Sequence, residues 1–201
     1  MEPFTRVSSV AAVLTMPNVD TDRIVPAKFL HNPRSAGYGQ FLFRDLRLDA
    51  DGNERPDFVL NQTPYRSARI LIADANFGCG SSREAAVWAL YGFGIRTVIA
   101  SSFGDIFFEN SFKNGLLPAV LPEAELLRLR AAVAADPLAL LQVDLEQQTV
   151  SLSSGEVFRF EVDAFKRNSL LLGLDDIGVT LQHEGAIDAF ERQRKVQTPW
   201  L

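Results

Sequence analysis

Apolar runs short enough for strands recur along the chain at ARILIADA (68–75), IRTVIAS (95–101) and LLPAVL (116–121), with RVSSVAAVL (6–14) near the start. Between the first two of these lies REAAVWALYGFG (83–94), helix-forming and ending near Gly92 or Gly94, and after the second comes GDIFFENSFKNG (104–115), closed by Asn114 and Gly115 as a helix C-terminus is. Strand, helix, strand within about thirty residues predicts a βαβ unit with a right-handed crossover. Pro122 opens a further helix, PEAELLRLRAAVAAD, in the first turn, where its missing N–H is harmless. Beyond Pro137, the runs LQVDLEQ, QTVSLS and EVFRFEV read as hairpin strands, the last two joined through Ser153, Ser154 and Gly155. Asp163 caps the helix DAFKRNSLLLG, and a last helix runs from about Glu184 to Lys195. The order is mixed α/β: a parallel βαβ core followed by additional antiparallel strands.

Two stretches are less regular. PNVDTDRIVPAKFL (17–30) reads as a turn leading into a short helical segment near Pro26. From His31 to about Pro64 the turn formers of HNPRSAGYG and DADGNERPD dominate, so order there depends on tertiary contacts or on a partner.

With 201 residues the chain fits one domain or a compact pair, and it can bury about 70% of its unfolded surface without a metal or disulfide. The formal charge of −5, with cations scattered, argues against nucleic acid or an anionic membrane as partner and leaves small molecules or protein. No run approaches the ~20 apolar residues of a membrane span, and the N-terminus lacks the pattern of a signal peptide, so a cytoplasmic protein is expected. One cysteine, Cys79, and two histidines, His31 and His183, cannot ligate a zinc ion or an iron–sulfur cluster by themselves.

The densest chemistry lies in NFGCGSSRE (76–84), between a strand and a helix. Ser81 and Glu84 fit the S-x-x-E capping box, and Gly78 and Gly80 suit a sharp turn needing positive φ. Neither accounts for Arg83. A cation exposed in the first turn opposes the helix dipole, which suggests a bound carboxylate or phosphate held by free amides and the guanidinium. The segment lacks the third glycine of a dinucleotide fingerprint, the Gly-Lys-Ser/Thr of a phosphate loop and the G-x-S-x-G of a hydrolase elbow, so nucleotide binding and serine hydrolysis are poorly supported. Asp20 and Asp22 of DTD serve either as turn and cap residues or to position the following loop against the site.

NFGCGSSRE followed by WAL, with DTDRIVP upstream and FKNGLLP downstream, resembles the small subunit of 3-isopropylmalate dehydratase and, more distantly, the swivelling domain of aconitase. The likeness extends to GLDDIGVTLQHE, so residues 1–201 are expected to form one β/β/α swivelling domain. It implies a large-subunit partner that carries a 4Fe–4S cluster, and a small dicarboxylate substrate isomerised by dehydration and rehydration. It further implies that Ser81 is the base, as an alkoxide, and that Arg83 grips a substrate carboxylate, with Ser82, Gly80 and Arg34 also binding substrate. HNPRSAGYG corresponds to the loop that recognises the substituent of the substrate. Where the family reads S-R-E-H-A, this chain has Ala85, which keeps the helix and removes an imidazole. A hydro-lyase of the same type acting on methylmalate or dimethylmalate, and a non-catalytic carboxylate-binding subunit, are the alternatives.

Overall fold

The computed structural model describes every residue except Pro199 and Leu201. Two four-stranded sheets form its frame. The parallel sheet takes β2 (Ala11–Leu14), β3 (Ile70–Ala73), β4 (Thr97–Ala100) and β5 (Leu117–Val120), side by side in chain order. The antiparallel sheet is ordered β1 (Arg6–Ser9), β6 (Leu141–Asp144), β7 (Thr149–Leu152), β8 (Val157–Arg159).

Alternation along the parallel strands assigns each side chain to one of two cores. Leu71, Ala73, Val98 and Ala100 join Ala86, Val87 and Leu90 of α3 (Glu84–Phe93), while Ile70, Ile72, Ile99 and Leu117 join the inner face of the antiparallel sheet. Helices α5 (Glu123–Ala135) and α6 (Ala164–Leu172) complete the second core through Leu126, Leu129, Val133 and Leu170. Sheet, sheet and helices therefore stack as three layers, the β/β/α arrangement that the resemblance implies.

The expected single strand over 6–14 is two strands. Residues 6–9 alternate exposed and buried and suit a sheet with one wet face, whereas residues 11–14 are almost wholly buried and suit the central sheet. The chain changes sheet at Val10, where Ser9 Oγ donates to the Val10 carbonyl at 2.8 Å and accepts from the Arg69 amide at 3.0 Å. A second difference is α7 (Asp176–Leu181), a helix absent from the sequence-based expectation. Its Ile, Gly, Val and Thr are poor helix formers, and it is started by Asp175, which accepts from the Gly178 amide at 2.7 Å. Pro122 stands one residue ahead of its expected place, as the cap of α5.

The irregular stretch is built from short turns of helix: α1 (Thr21–Ile24), α2 (Arg44–Arg47) and several 3₁₀ turns. Residues 38–43 are anchored through buried Tyr38, Leu42 and Phe43, and Gly39 lies so close to Gly92 of α3 that a Cβ on either would meet the other's backbone. Residues 33–35 and Gly37 are exposed. α8 (Glu184–Gln197) starts after His183 and buries no residue.

Candidate active site

The serine corner lies beyond the carboxyl ends of the parallel strands, where open α/β sheets place their ligands. Isolated bridges continue the strand pairings there, Asp20 with Cys79 and Phe77 with Phe103, so segments from β2, β3 and β4 converge. Gly78 (φ 74°) and Gly80 (φ 87°) both take the positive φ expected of them. Gly104 also lets two backbones close up, since a Cβ there would stand 2.6 Å from the Gly78 carbonyl oxygen, and a Cβ at Gly78 would meet the Phe107 ring.

The capping box does not form. The chain stays extended through Arg83, which is itself the N-cap of α3 at φ −142° and ψ 101°, and no side chain caps the helix. Ser81 is held instead through its carbonyl, which accepts from Thr21 Oγ1 at 2.7 Å, while the Thr21 amide donates to the Cys79 carbonyl at 3.0 Å. Glu84 is turned the other way and accepts from Asn114 Nδ2 at 2.8 Å. Both serine hydroxyls are thereby left free of the helix.

Arg83 is not the exposed, unpaired cation that the sequence suggests. Its side chain is 16% exposed, and Nη1 donates to Asp22 Oδ1 in an ion pair. The DTD segment thus divides its work: Asp20 caps α1 by accepting from the Arg23 amide, Thr21 clamps residues 79 and 81, and Asp22 holds Arg83.

Gly80, Ser81 and Ser82 share a cleft of about 260 Å³ with Thr21, Gly78, Cys79 and residues 104–107. The last four are the start of α4 (Asp105–Lys113), whose first turn has no side-chain cap. The amides at the beginning of a helix have no acceptor within it and carry its positive end. The first turn of α4 thus lines the cleft with the serines, a feature sequence reasoning missed because it attributed the anion site to α3 alone. The glycines of the corner and Gly104 were its only local signal.

Arg34 lines a different cavity, of about 320 Å³, which shares no lining residue with the first, together with Glu84, Asn110, Lys113, Asn114, Asp175, Asp176 and Ile177. Its guanidinium lies 4.9 Å from the centre of the Trp88 ring, and Nη2 donates to Asn114 Oδ1 at 3.2 Å. The structure thus brings Gly80, Ser81 and Ser82 together in one cleft, leaves Arg83, the next residue along the chain, outside its lining, and sets Arg34 in a different cavity. Ala85 is buried among the apolar residues of the first core.

Strand order, cleft position and serine corner define a domain of aconitase type. In agreement, the family model described as the aconitase C-terminal domain matches residues 1–124, and the model for the C-terminal domain of the 3-isopropylmalate dehydratase small subunit matches residues 176–201. The chain is 52% identical to the 3-isopropylmalate dehydratase small subunit of Dinoroseobacter shibae over 201 residues, all of both chains. It is 54% identical to that of Rhodospirillum centenum over 200 residues, covering 100% of this chain and 98% of the relative. The fold is shared with a solved 3-isopropylmalate dehydratase structure from Methanocaldococcus jannaschii, at TM-score 0.66 and 23% identity over 92% of this chain and 99% of that one. The chain belongs to the 3-isopropylmalate dehydratase small-subunit family.

Proposed function

We propose that this chain acts as one domain, residues 1–201, and is the substrate-gripping subunit of a cytoplasmic hydro-lyase that interconverts 2- and 3-isopropylmalate with a large-subunit partner. The observation that carries this reading is the cleft in which Ser81 and Ser82, freed from capping, face the uncapped first turn of α4 beside an oriented arginine.

Dehydration requires removal of a proton from a carbon next to a carboxylate and departure of a hydroxyl. Ser81 Oγ takes the proton. As an alkoxide it is stabilised by the positive end of α4 and by the nearby guanidinium, interactions that strengthen once water is excluded. Arg83 binds the substrate carboxylate: among the described residues only Asp22 engages it, through Nη1, and the remaining N–H groups can make a two-pronged contact. Ser82 and the Gly80 backbone add contacts from the serine cleft, and Arg34 meets the substrate from its own cavity. The departing hydroxyl would be taken by a Lewis acid that this chain does not supply; rehydration returns the proton from Ser81 to the carbon that lost the hydroxyl, and a hydroxyl adds to the carbon that lost the proton.

The 4Fe–4S cluster that the family uses as a Lewis acid does not fit this chain, which has one cysteine, two histidines and, among the described residues, no cluster of three metal-ligating side chains. We place it on the large subunit.

The deciding experiment mixes the purified chain with the large subunit and follows turnover of 2-isopropylmalate beside methylmalate and dimethylmalate. Isopropylmalate is the expected preferred substrate. Preference for another diacid corrects the substrate, and absence of turnover with all three removes the catalytic reading.

A further inference from the structure

Asn114 ends α4, is 6% exposed, and uses the full bonding capacity of its carboxamide. Oδ1 accepts from Arg34 Nη2 at 3.2 Å and from Trp88 Nε1 at 3.1 Å; Nδ2 donates to Glu84 Oε1 at 2.8 Å and to the Asn110 carbonyl at 2.9 Å. Capping the helix demands none of this, because the cap bond is made by the Asn114 backbone amide.

The surroundings explain what the four bonds achieve. Arg34 shares its cavity with three carboxylates, yet it forms no ion pair among the described residues. Each acid is engaged elsewhere: Asp176 by Lys113 Nζ at 3.0 Å, Asp175 by the Gly178 amide, and Glu84 by Asn114. Glu84 is the acid bonded to the same carboxamide that holds Arg34, so Asn114 stands between the two charges and is bonded to both. Without it, carboxylate and guanidinium would meet directly and neutralise each other.

We propose that Asn114 is a positioning residue that keeps Arg34 stacked on Trp88 and unpaired, so that its charge is available to a substrate carboxylate. This rests on the reading of Arg34 as a substrate contact.

The test is kinetic, in the complex with the large subunit, with 2-isopropylmalate binding followed in parallel by Trp88 fluorescence in a Trp200→Phe background, which leaves Trp88 as this chain's one tryptophan. Asn114→Leu releases Glu84 onto Arg34, and Asn114→Asp puts a carboxylate directly against it. Each should raise KM on the order of tenfold with little change in kcat, as loss of a binding charge does. Arg34→Ala should do the same, and combining it with either variant should add nothing further. Glu84→Gln added to Asn114→Leu removes the competing charge and should recover most of the lost affinity, a rescue that a purely structural role would not give. Should Asn114→Leu fail to fold, the aspartate variant, which keeps shape and both acceptor positions, decides alone. Unchanged KM in Asn114→Asp, additivity with Arg34→Ala, or no rescue by Glu84→Gln overturns the proposal. If the wild-type complex neither binds nor turns over isopropylmalate, the functional reading falls and this inference falls with it.

Discussion

Asp22 reaches Arg83 across 61 positions of sequence and pairs with Nη1, and among the described residues the rest of the guanidinium has no partner. Asp22 is 55% exposed and Arg83 16%, so the arginine is the confined partner and the aspartate sets the direction in which its open N–H groups point. An acid in this position either orients the arginine for substrate or competes with substrate for it. Orientation is expected from the single-nitrogen contact. Asp22→Asn should therefore raise KM several-fold while kcat changes less, since a neutral acceptor holds the fork less firmly. A fall in KM would show competition instead. Arg83→Lys should raise KM further, because a point charge cannot reproduce a two-pronged contact.

Ser81 gives a sharper separation of stability from chemistry. A lost N-cap costs about 1 kcal/mol, but Ser81 caps nothing here. Ser81→Ala should leave the melting temperature of the free subunit unchanged and lower kcat of the complex by on the order of 10²–10⁴, the usual contribution of a positioned acid or base, with KM nearly constant. Near wild-type turnover would place the base elsewhere.

Local signals explain which parts of this arrangement were legible in the sequence. β3 to β5, α3 to α6 and the hairpin strands carry their own apolar runs and end signals, and the glycines at 78 and 80 announced the turn. S-x-x-E was a decoy: Thr21 anchors the Ser81 carbonyl in chain that stays extended through Arg83, and Asn114 takes the Glu84 carboxylate, so only the serine hydroxyl of the box is left over. Such competitors lie 60 and 30 residues away and leave no mark on a nine-residue motif. The same holds for the α4 first turn facing the serines and for the change of sheet at Val10, where the choice of partner strand is non-local. DTD was legible as a turn and cap, but the clamp at Thr21 and the pair at Asp22 required the third dimension.

Gly104 tests whether the close approach of α4 to the corner matters. Its φ of −66° suits any residue, so replacement by alanine introduces no backbone strain, only a Cβ 2.6 Å from the Gly78 carbonyl oxygen and 3.0 Å from Cys79 Cα. Both neighbours are backbone and can yield only by moving the serine corner. Gly104→Ala should cost about 1–3 kcal/mol of stability and lower kcat. Gly185→Ala, inside α8 with nothing within 4 Å, is the control and should be neutral or slightly stabilising by thermal melt.

Acid stability is predicted from Asp144, far from the site, where β6 meets β1. Arg6 donates to Oδ2 through Nε at 2.9 Å and Nη2 at 2.6 Å, and the Gln147 amide donates to Oδ1 at 2.9 Å. Burial pushes this carboxyl up; the Gln147 and Glu146 amides and the Arg6 guanidinium together outweigh it, and the group ends below the usual carboxylate range. A carboxyl depressed on folding contributes stability that is fully present above the unfolded value, about 4, and is lost as pH falls through the lower native value. Asp144→Asn keeps an acceptor for the Gln147 amide but loses the charge pair. At neutral pH it should be less stable than wild type by denaturant titration, and that difference should shrink steadily as the pH is lowered below 4. Because all other carboxyls titrate alike in both proteins, the difference isolates Asp144. A gap that stays constant down to pH 2 would mean that the aspartate stabilises the sheet by shape and hydrogen bonding, not by its charge.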